Sequence, residues 1–406
     1  MMDRRTFTTA LVFGGTVGAA PRQPRILLRS SWQTINIGDI GHSPGVMTLL
    51  EKYWPEAEFR LWPGNIGDGV REMLLRRFPK LTFVEGAEAE KRAFAECDFL
   101  LHGSGPYLVA PAHVERWVKE TGKPYGVYGI TLNPDKIDAQ VTRLLTGARF
   151  VFFRDSVSLQ FAKDAGVKSP VMEFGPDGAF GADLRNDAAA KAFLSAHGLA
   201  AGQFLCCIPK YRRTPEWRIA RKNKPVDREA EARNAAMQEH DQAPLREAVI
   251  AITRETPMKV LLCPEDETQM LLAKEMIYDK LPEAARKKTV WREKFWLTDE
   301  ALSTYTMSAG LFGNEMHSPI LCVGNGIPAI VCRFREQTTK GFMWRDIGLG
   351  DWLFDLDNEA DVARVAPAAL AMAENPAAAR AKAAKARAFV VARQKHTIDV
   401  LKKQWS

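Results

Sequence analysis

The segment Gly313-Asn314-Glu315-Met316-His317-Ser318-Pro319 carries the sharpest chemical signal in this 406-residue chain. An apolar run precedes it, and Ser318 with Pro319 has the make-up of a helix start. His317 is then expected at the carboxyl end of a strand, just before a helix N-terminus. The free amides of such a start favour an anion. An imidazole beside them can stabilise charge or move a proton near neutral pH. His317 is therefore the expected catalytic residue, with Ser318 on the anion side and Glu315 in the same cleft. Arg333, Arg335 and Lys340 follow the next apolar run and add positive charge there. Arginine offers a forked donor pair and lysine a point charge.

The first half holds a matching arrangement. A polar loop with two glycines, residues 34–41, leads into His42-Ser43-Pro44, with Ser43 expected as a helix N-cap and Pro44 as the first helical residue. Asn36, Gly38 and Asp39 lie on that loop, where main-chain amides can hold an anion or a sugar hydroxyl. His102-Gly103-Ser104-Gly105 ends another apolar run, and its glycines let a ligand approach the backbone closely. His102, with Ser104 beside it, is expected either to serve that ligand as an acid or base or to be a hydrogen-bonded structural group. Arg154-Asp155-Ser156 places a cap at Asp155 or Ser156, with a local Arg154–Asp155 ion pair expected at the cleft. Asp177, in Pro176-Asp177-Gly178, is expected at the same cleft, although Pro-Asp-Gly is also ordinary turn chemistry.

These residues need a scaffold that brings distant loops together. Short apolar runs alternate with helical patterns, which argues for parallel sheets covered by helices. Strands are expected at 25–28, 58–62, 98–101, 125–130, 149–153 and 171–174, and again at 204–208, 259–263, 311–312 and 327–332. Helices are expected at 43–53 and 156–165, then at 244–255, 267–280 and 299–308. The fold class is α/β: two Rossmann-like doubly wound domains, 22–184 and 185–356, facing a cleft, with a helical segment at 357–406 packed outside. Ligands in such folds sit beyond the carboxyl ends of the strands. Residues 209–243 read as a long polar insertion. Seven basic residues lie between Lys210 and Lys224, Arg212 and Arg213 among them, and Glu216 alone opposes them. A loop this long is mobile or functional, and the functional form is a lid over an anionic ligand.

Composition narrows the classes. Hydrophobic residues are 46% and charged residues 26%, which excludes a disordered or fibrous chain. No run of eighteen apolar residues occurs, so no spanning helix is expected. The net charge of +7 fits an anionic ligand. Nucleic acid is not the expected partner, because the basic cluster is confined to one loop without a recognition module. The six cysteines form no CxxC pair and read as buried thiols. With no zinc spacing and no GxGxxG, no metal and no cofactor are expected. Arg4-Arg5-Thr6-Phe7, a weakly apolar stretch and Gly18-Ala19-Ala20 have the shape of a twin-arginine export signal over 1–21. The expected location is the periplasm, the alternative the cytoplasm.

The ordered motifs resemble the polysaccharide pyruvyl transferase family over residues 25–355. They are Asn36-Ile37-Gly38-Asp39, Asp98-Phe99-Leu100-Leu101 before a glycine loop, and Arg154-Asp155-Ser156 with Ser158. Pro176-Asp177 with Phe180, His317-Ser318, Gly326-Ile327-Pro328, Lys340 and Ile347-Gly348-Leu349 follow in order. The resemblance implies a glycosyltransferase-B-like pair of domains. It also implies transfer of the pyruvyl group of phosphoenolpyruvate, or of another anionic donor, onto a carbohydrate hydroxyl pair. His317 would be the acid/base or phosphate ligand. Arg212, Arg213, Ser318 and Lys340 would hold the donor, while Asn36, Gly38, Asp39, His102 and Ser104 would face the acceptor. Glu315 stands where the family has arginine. Two like charges about 4 Å apart cost ~4 kcal/mol at an effective dielectric near 20. The alternative is therefore an exported glycan-binding protein that retains the fold without the reaction.

Overall fold

The computed structural model describes residues 23–405; the export signal expected at 1–21 lies outside them. Thirteen strands form two sheets among the described residues. The first runs β3-β2-β1-β4-β5-β6-β7, from β1 (Arg25–Ser30), β2 (Glu58–Pro63), β3 (Thr82–Phe83), β4 (Phe99–His102), β5 (Tyr125–Ile130), β6 (Val151–Phe153) and β7 (Met172–Phe174). The second runs β10-β9-β8-β11-β12-β13, from β8 (Phe204–Ile208), β9 (Lys259–Leu262), β10 (Thr289–Trp291), β11 (Gly310–Gly313), β12 (Ala329–Arg333) and β13 (Leu353–Asp355). All pairings are parallel.

Strand composition explains this. Alternate residues feed opposite cores: Ile26, Leu28, Phe99 and Leu101 enter one, while Leu27, Leu100, Val127 and Val151 enter another. Strands covered on both faces read as unbroken apolar runs. In each sheet the order reverses beside its first strand, at β1/β4 and at β8/β11. These are the switch points where a doubly wound sheet opens a crevice.

The lobes are tied together along one side of that crevice. Ile37 N donates to Glu265 O at 2.9 Å and Glu267 N to Ile35 O at 3.2 Å. Thr298 Oγ1 donates to Ile37 O at 2.7 Å. The long C-terminal helix, Pro376–Trp405, does not simply pack outside the second lobe. Ala383, Ala386 and Val390 join the second lobe's core, and Ile398 and Leu401 join the first lobe's. No described helix is long and apolar enough to cross a membrane.

Three local expectations are corrected. The helix expected to start at Ser43 runs Ile37–Tyr53 and holds Pro44 inside it. Its cap is Asn36, whose Oδ1 accepts from Gly38 N at 2.8 Å and Asp39 N at 3.1 Å. Much of the expected insertion is helix: Arg228–Glu255 starts at the Asp227 cap, well before Pro244. Arg154 does not pair with Asp155. Its partner is Asp177, at 2.6 Å, and Asp155 instead caps the helix Ser156–Asp164. All six cysteines are buried free thiols, as their apolar settings imply.

Candidate functional site

The loops leaving β1, β4, β9 and β11 converge between the two sheets. Asn36 starts the helix Ile37–Tyr53 so that Asp39 and His42, one turn apart, face the same way. His317 starts the helix His317–Gly324 on the opposite lobe. The two imidazoles meet edge to face, and Asp39 Oδ1 lies 3.7 Å from His42 Nε2 and 3.6 Å from His317 Nδ1. Gly38 makes this approach feasible, because a Cβ there would stand 2.0 Å from His317 Cβ.

Behind His42 lies a buried polar chain. His42 Nδ1 is 2.8 Å from Asp177 Oδ1 and 2.7 Å from Ser104 Oγ. Arg154 clamps the other Asp177 oxygen and donates from Nε to Thr131 Oγ1 at 2.6 Å. Trp32 stacks on the His42 ring, with centroids 5.2 Å apart. Burial alone would lower His42, but the carboxylates of Asp177 and Asp39 outweigh it and raise its pKa. His317 moves the other way, well below the ordinary histidine value, through burial and the neighbouring Lys340 ammonium. Burial would raise the Asp39 carboxyl, yet the neighbouring His42, itself raised, and Lys340 hold it below the usual carboxylate range.

The anion at the start of the His317 helix is the protein's own. Glu265, in the loop after β9, accepts from Ser318 N at 2.5 Å and lies 3.2 Å from His317 Nδ1. Ser318 Oγ pairs with Tyr305 at 3.1 Å. Glu315 is also partnered. Lys210, just past β8, binds its Oε1, and Gln269 Nε2 donates to the same oxygen at 2.6 Å. Burial and Glu265 raise the Glu315 pKa against the pull of Lys210. Lys340 is pushed down by burial.

A cavity of about 500 Å³ opens beside this cluster, lined by Tyr107, Asn133, Lys136, Lys210, Arg212, Arg213 and Lys340 among others. The structure thus groups Asp39, Glu315, His317 and Lys340, with Asp177 and Arg154 fully buried behind His42. Asn36 is held as a cap, and Ser104 lies behind His42. Arg212 is buried and bound by Asp241, Glu336 and Asp357. Arg213 is exposed on the rim, 3.5 Å from Glu229. His102 is buried beside Arg29, and burial with that charge takes its pKa down to about 3, so it stays neutral.

The expected lid meets its own carboxylates: Arg221 binds Glu267, and Lys222 and Lys224 bind Glu216. Sequence reasoning did not find Glu265, and gave His42 and Lys210 no role beyond a helix-start loop and a basic insertion. For His42 the usable signal was its position three residues after Asp39, once Asn36 is recognised as the cap. Glu265 and Lys210 give none beyond following an apolar run.

A family model described as polysaccharide pyruvyl transferase matches residues 36–334. No curated protein matches the chain. Among solved structures, the UDP-GlcNAc 2-epimerase of Methanocaldococcus jannaschii is similar, with 13% identity and a TM-score of 0.54 over 85% of this chain and 92% of that one. An alpha,alpha-trehalose 6-phosphate synthase of Burkholderia multivorans has 12% identity and a TM-score of 0.52, covering 94% and 97%. A ugt transferase of Siraitia grosvenorii, in complex with UDP, has 12% identity and a TM-score of 0.52, covering 93% and 100%. At such identities the likeness concerns the fold, which is of glycosyltransferase-B type.

Proposed function

The chain belongs to the polysaccharide pyruvyl transferase family, and from that premise we propose that it moves the pyruvyl group of phosphoenolpyruvate onto two hydroxyls of a carbohydrate. The first lobe takes the acceptor and the second the donor. The observation that carries this reading is the cavity that Lys136, Lys210, Arg213 and Lys340 line together with Asp135 and Glu336, Lys340 being the cation that also acts on His317. Lys340 and Arg213 neutralise the donor's phosphate and carboxylate. The Lys210–Glu315 pair removes the repulsion that a bare carboxylate at position 315 would exert.

The chemistry requires two proton transfers. One hydroxyl oxygen bonds to C2 of the donor while C3 gains a proton and becomes a methyl group. The second hydroxyl oxygen then displaces phosphate, which leaves with the other proton. His317, neutral and facing the crevice, takes the hydroxyl proton and passes it on. Asp39 orients the acceptor hydroxyl. Arg4-Arg5 supports export to the periplasm, which the mass of the mature protein would test.

The experiment is incubation of the purified protein with phosphoenolpyruvate and a panel of pyranosides. The expected result is acceptor-dependent phosphate release, with a pyruvyl ketal in the product mass. Binding of glycans without any phosphate release across a broad panel would favour a non-catalytic glycan binder.

A further inference from the structure

We propose that Asp39, His42 and His317 form a site for a borderline divalent transition cation, of the Zn²⁺ or Co²⁺ kind, that bridges the two lobes. The three donor atoms lie within 4.8 Å of one another. Asp39 Oδ1 faces His42 Nε2 at 3.7 Å and His317 Nδ1 at 3.6 Å, both too long for hydrogen bonds. Ligands about 2.1 Å from a tetrahedral ion stand roughly 3.4 Å apart, so two of the three edges need only a small contraction.

The surroundings favour ligation over simple packing. His42 Nε2 is buried and has no hydrogen-bond partner. His42 Nδ1 is committed to Asp177 at 2.8 Å, and Arg154 holds Asp177 in turn. That is the carboxylate–histidine arrangement that fixes the tautomer and aims a ring nitrogen at a metal. Gln33 donates to the other Asp39 oxygen, which leaves Oδ1 as a single free ligand atom. Glu265 Oε1, 3.2 Å from His317 Nδ1, is the nearest further oxygen. Two imidazoles with one carboxylate select a zinc-like ion over magnesium or calcium, which prefer oxygen. Lys340 and Arg154 bring opposing positive charge to bear on His317.

Asp39 and His42 come from one lobe and His317 from the other, so the ion would pin the crevice shut. The site stands on its own geometry. Its consequence for turnover rests on the transferase reading: an ion would occupy the His317 lone pair needed for proton transfer, so binding and turnover would compete.

The test begins with full-length protein stripped with EDTA. Co²⁺ is titrated while the visible ligand-field bands are followed, and bound Zn²⁺ is counted after gel filtration. The expected result is one equivalent bound, with Asp39→Asn and His317→Gln each weakening affinity at least ~10-fold. His102→Gln, at a buried histidine outside the trio, should bind like wild type. A thermal melt confirms that each variant is folded, and His317→Gln serves if Asp39→Asn is not. Wild type that retains no ion, or binds no better than a folded variant of the trio, overturns the proposal. These readouts need no substrate, so they fail or succeed separately from the phosphate-release assay.

Discussion

The imidazoles of His42 and His317, one from each lobe, lie with ring centroids 5.0 Å apart and planes at 83°. Asp39 sits against both. The two rings shift in opposite directions: at His42 the Asp177 and Asp39 carboxylates outweigh burial, whereas at His317 burial and the Lys340 ammonium outweigh Asp39. Environments that push neighbouring groups apart in this way are how a site obtains an acid and a base from like side chains.

His317→Gln keeps size and polarity but removes the titrating ring. In the phosphate-release assay it should lower turnover ~10²–10⁴-fold. Phosphoenolpyruvate affinity, measured by calorimetry, should stay within a few-fold of wild type. A loss of turnover below tenfold would take His317 out of the reaction.

Gly38→Ala tests the close approach of the lobes. The added Cβ would stand 2.0 Å from His317 Cβ, so the two helix starts must part. Overpacking of this kind costs about 1–3 kcal/mol. Urea unfolding should show that loss, and turnover should fall with it even though no polar group has changed. An alanine variant as stable and as active as wild type would mean that the lobes do not close to this distance in solution.

Most of the layout could be read from the chain, because strands covered on both faces show as apolar runs. The three strands not anticipated, Thr82–Phe83, Thr289–Trp291 and Leu353–Asp355, are all sheet edges of two or three residues. Runs that short leave no period to read. The helix Arg228–Glu255 was hidden differently. Its first half, rich in alanine and charge, carries no apolar stripe, and Pro244 imitates a start. The Asp39–His42 pair was masked because Ser43 and Pro44 also satisfy the rules for a helix start. Only packing decides that Asn36 is the cap. Glu265 could not be foreseen as the partner of Ser318, since that contact depends on how the β9 and β11 loops meet.

Lys210, partly buried, and the fully buried Glu315 form a pair whose members depend on each other. Lys210→Met leaves the Glu315 carboxylate without its ammonium partner beside the cavity that Lys340 lines. Removing one partner of a buried pair costs about 3–5 kcal/mol of stability. The Michaelis constant for phosphoenolpyruvate should also rise. Lys210→Met with Glu315→Gln should recover much of both losses, and a double-mutant cycle showing no coupling would contradict the pairing.

Asp155 supplies a pH signature in stability that needs no substrate to read. Burial pushes its carboxyl up to about 6, helped by Asp346 and opposed by Ser158 and Arg154. Ser158 N and Oγ donate to it, and Thr339 lies beyond. The folded pKa exceeds the unfolded one of about 3.9. Its contribution to stability is therefore fully present below pH ~4 and is lost as pH rises through ~6. Asp155→Asn keeps a cap oxygen and removes the titration. The unfolding free energy of wild type minus that of Asp155→Asn should fall between pH 4 and 6, then level off. A difference that rises over that window would mean Asp155 is stabilised as a carboxylate, and that its hydrogen bonds outweigh its burial.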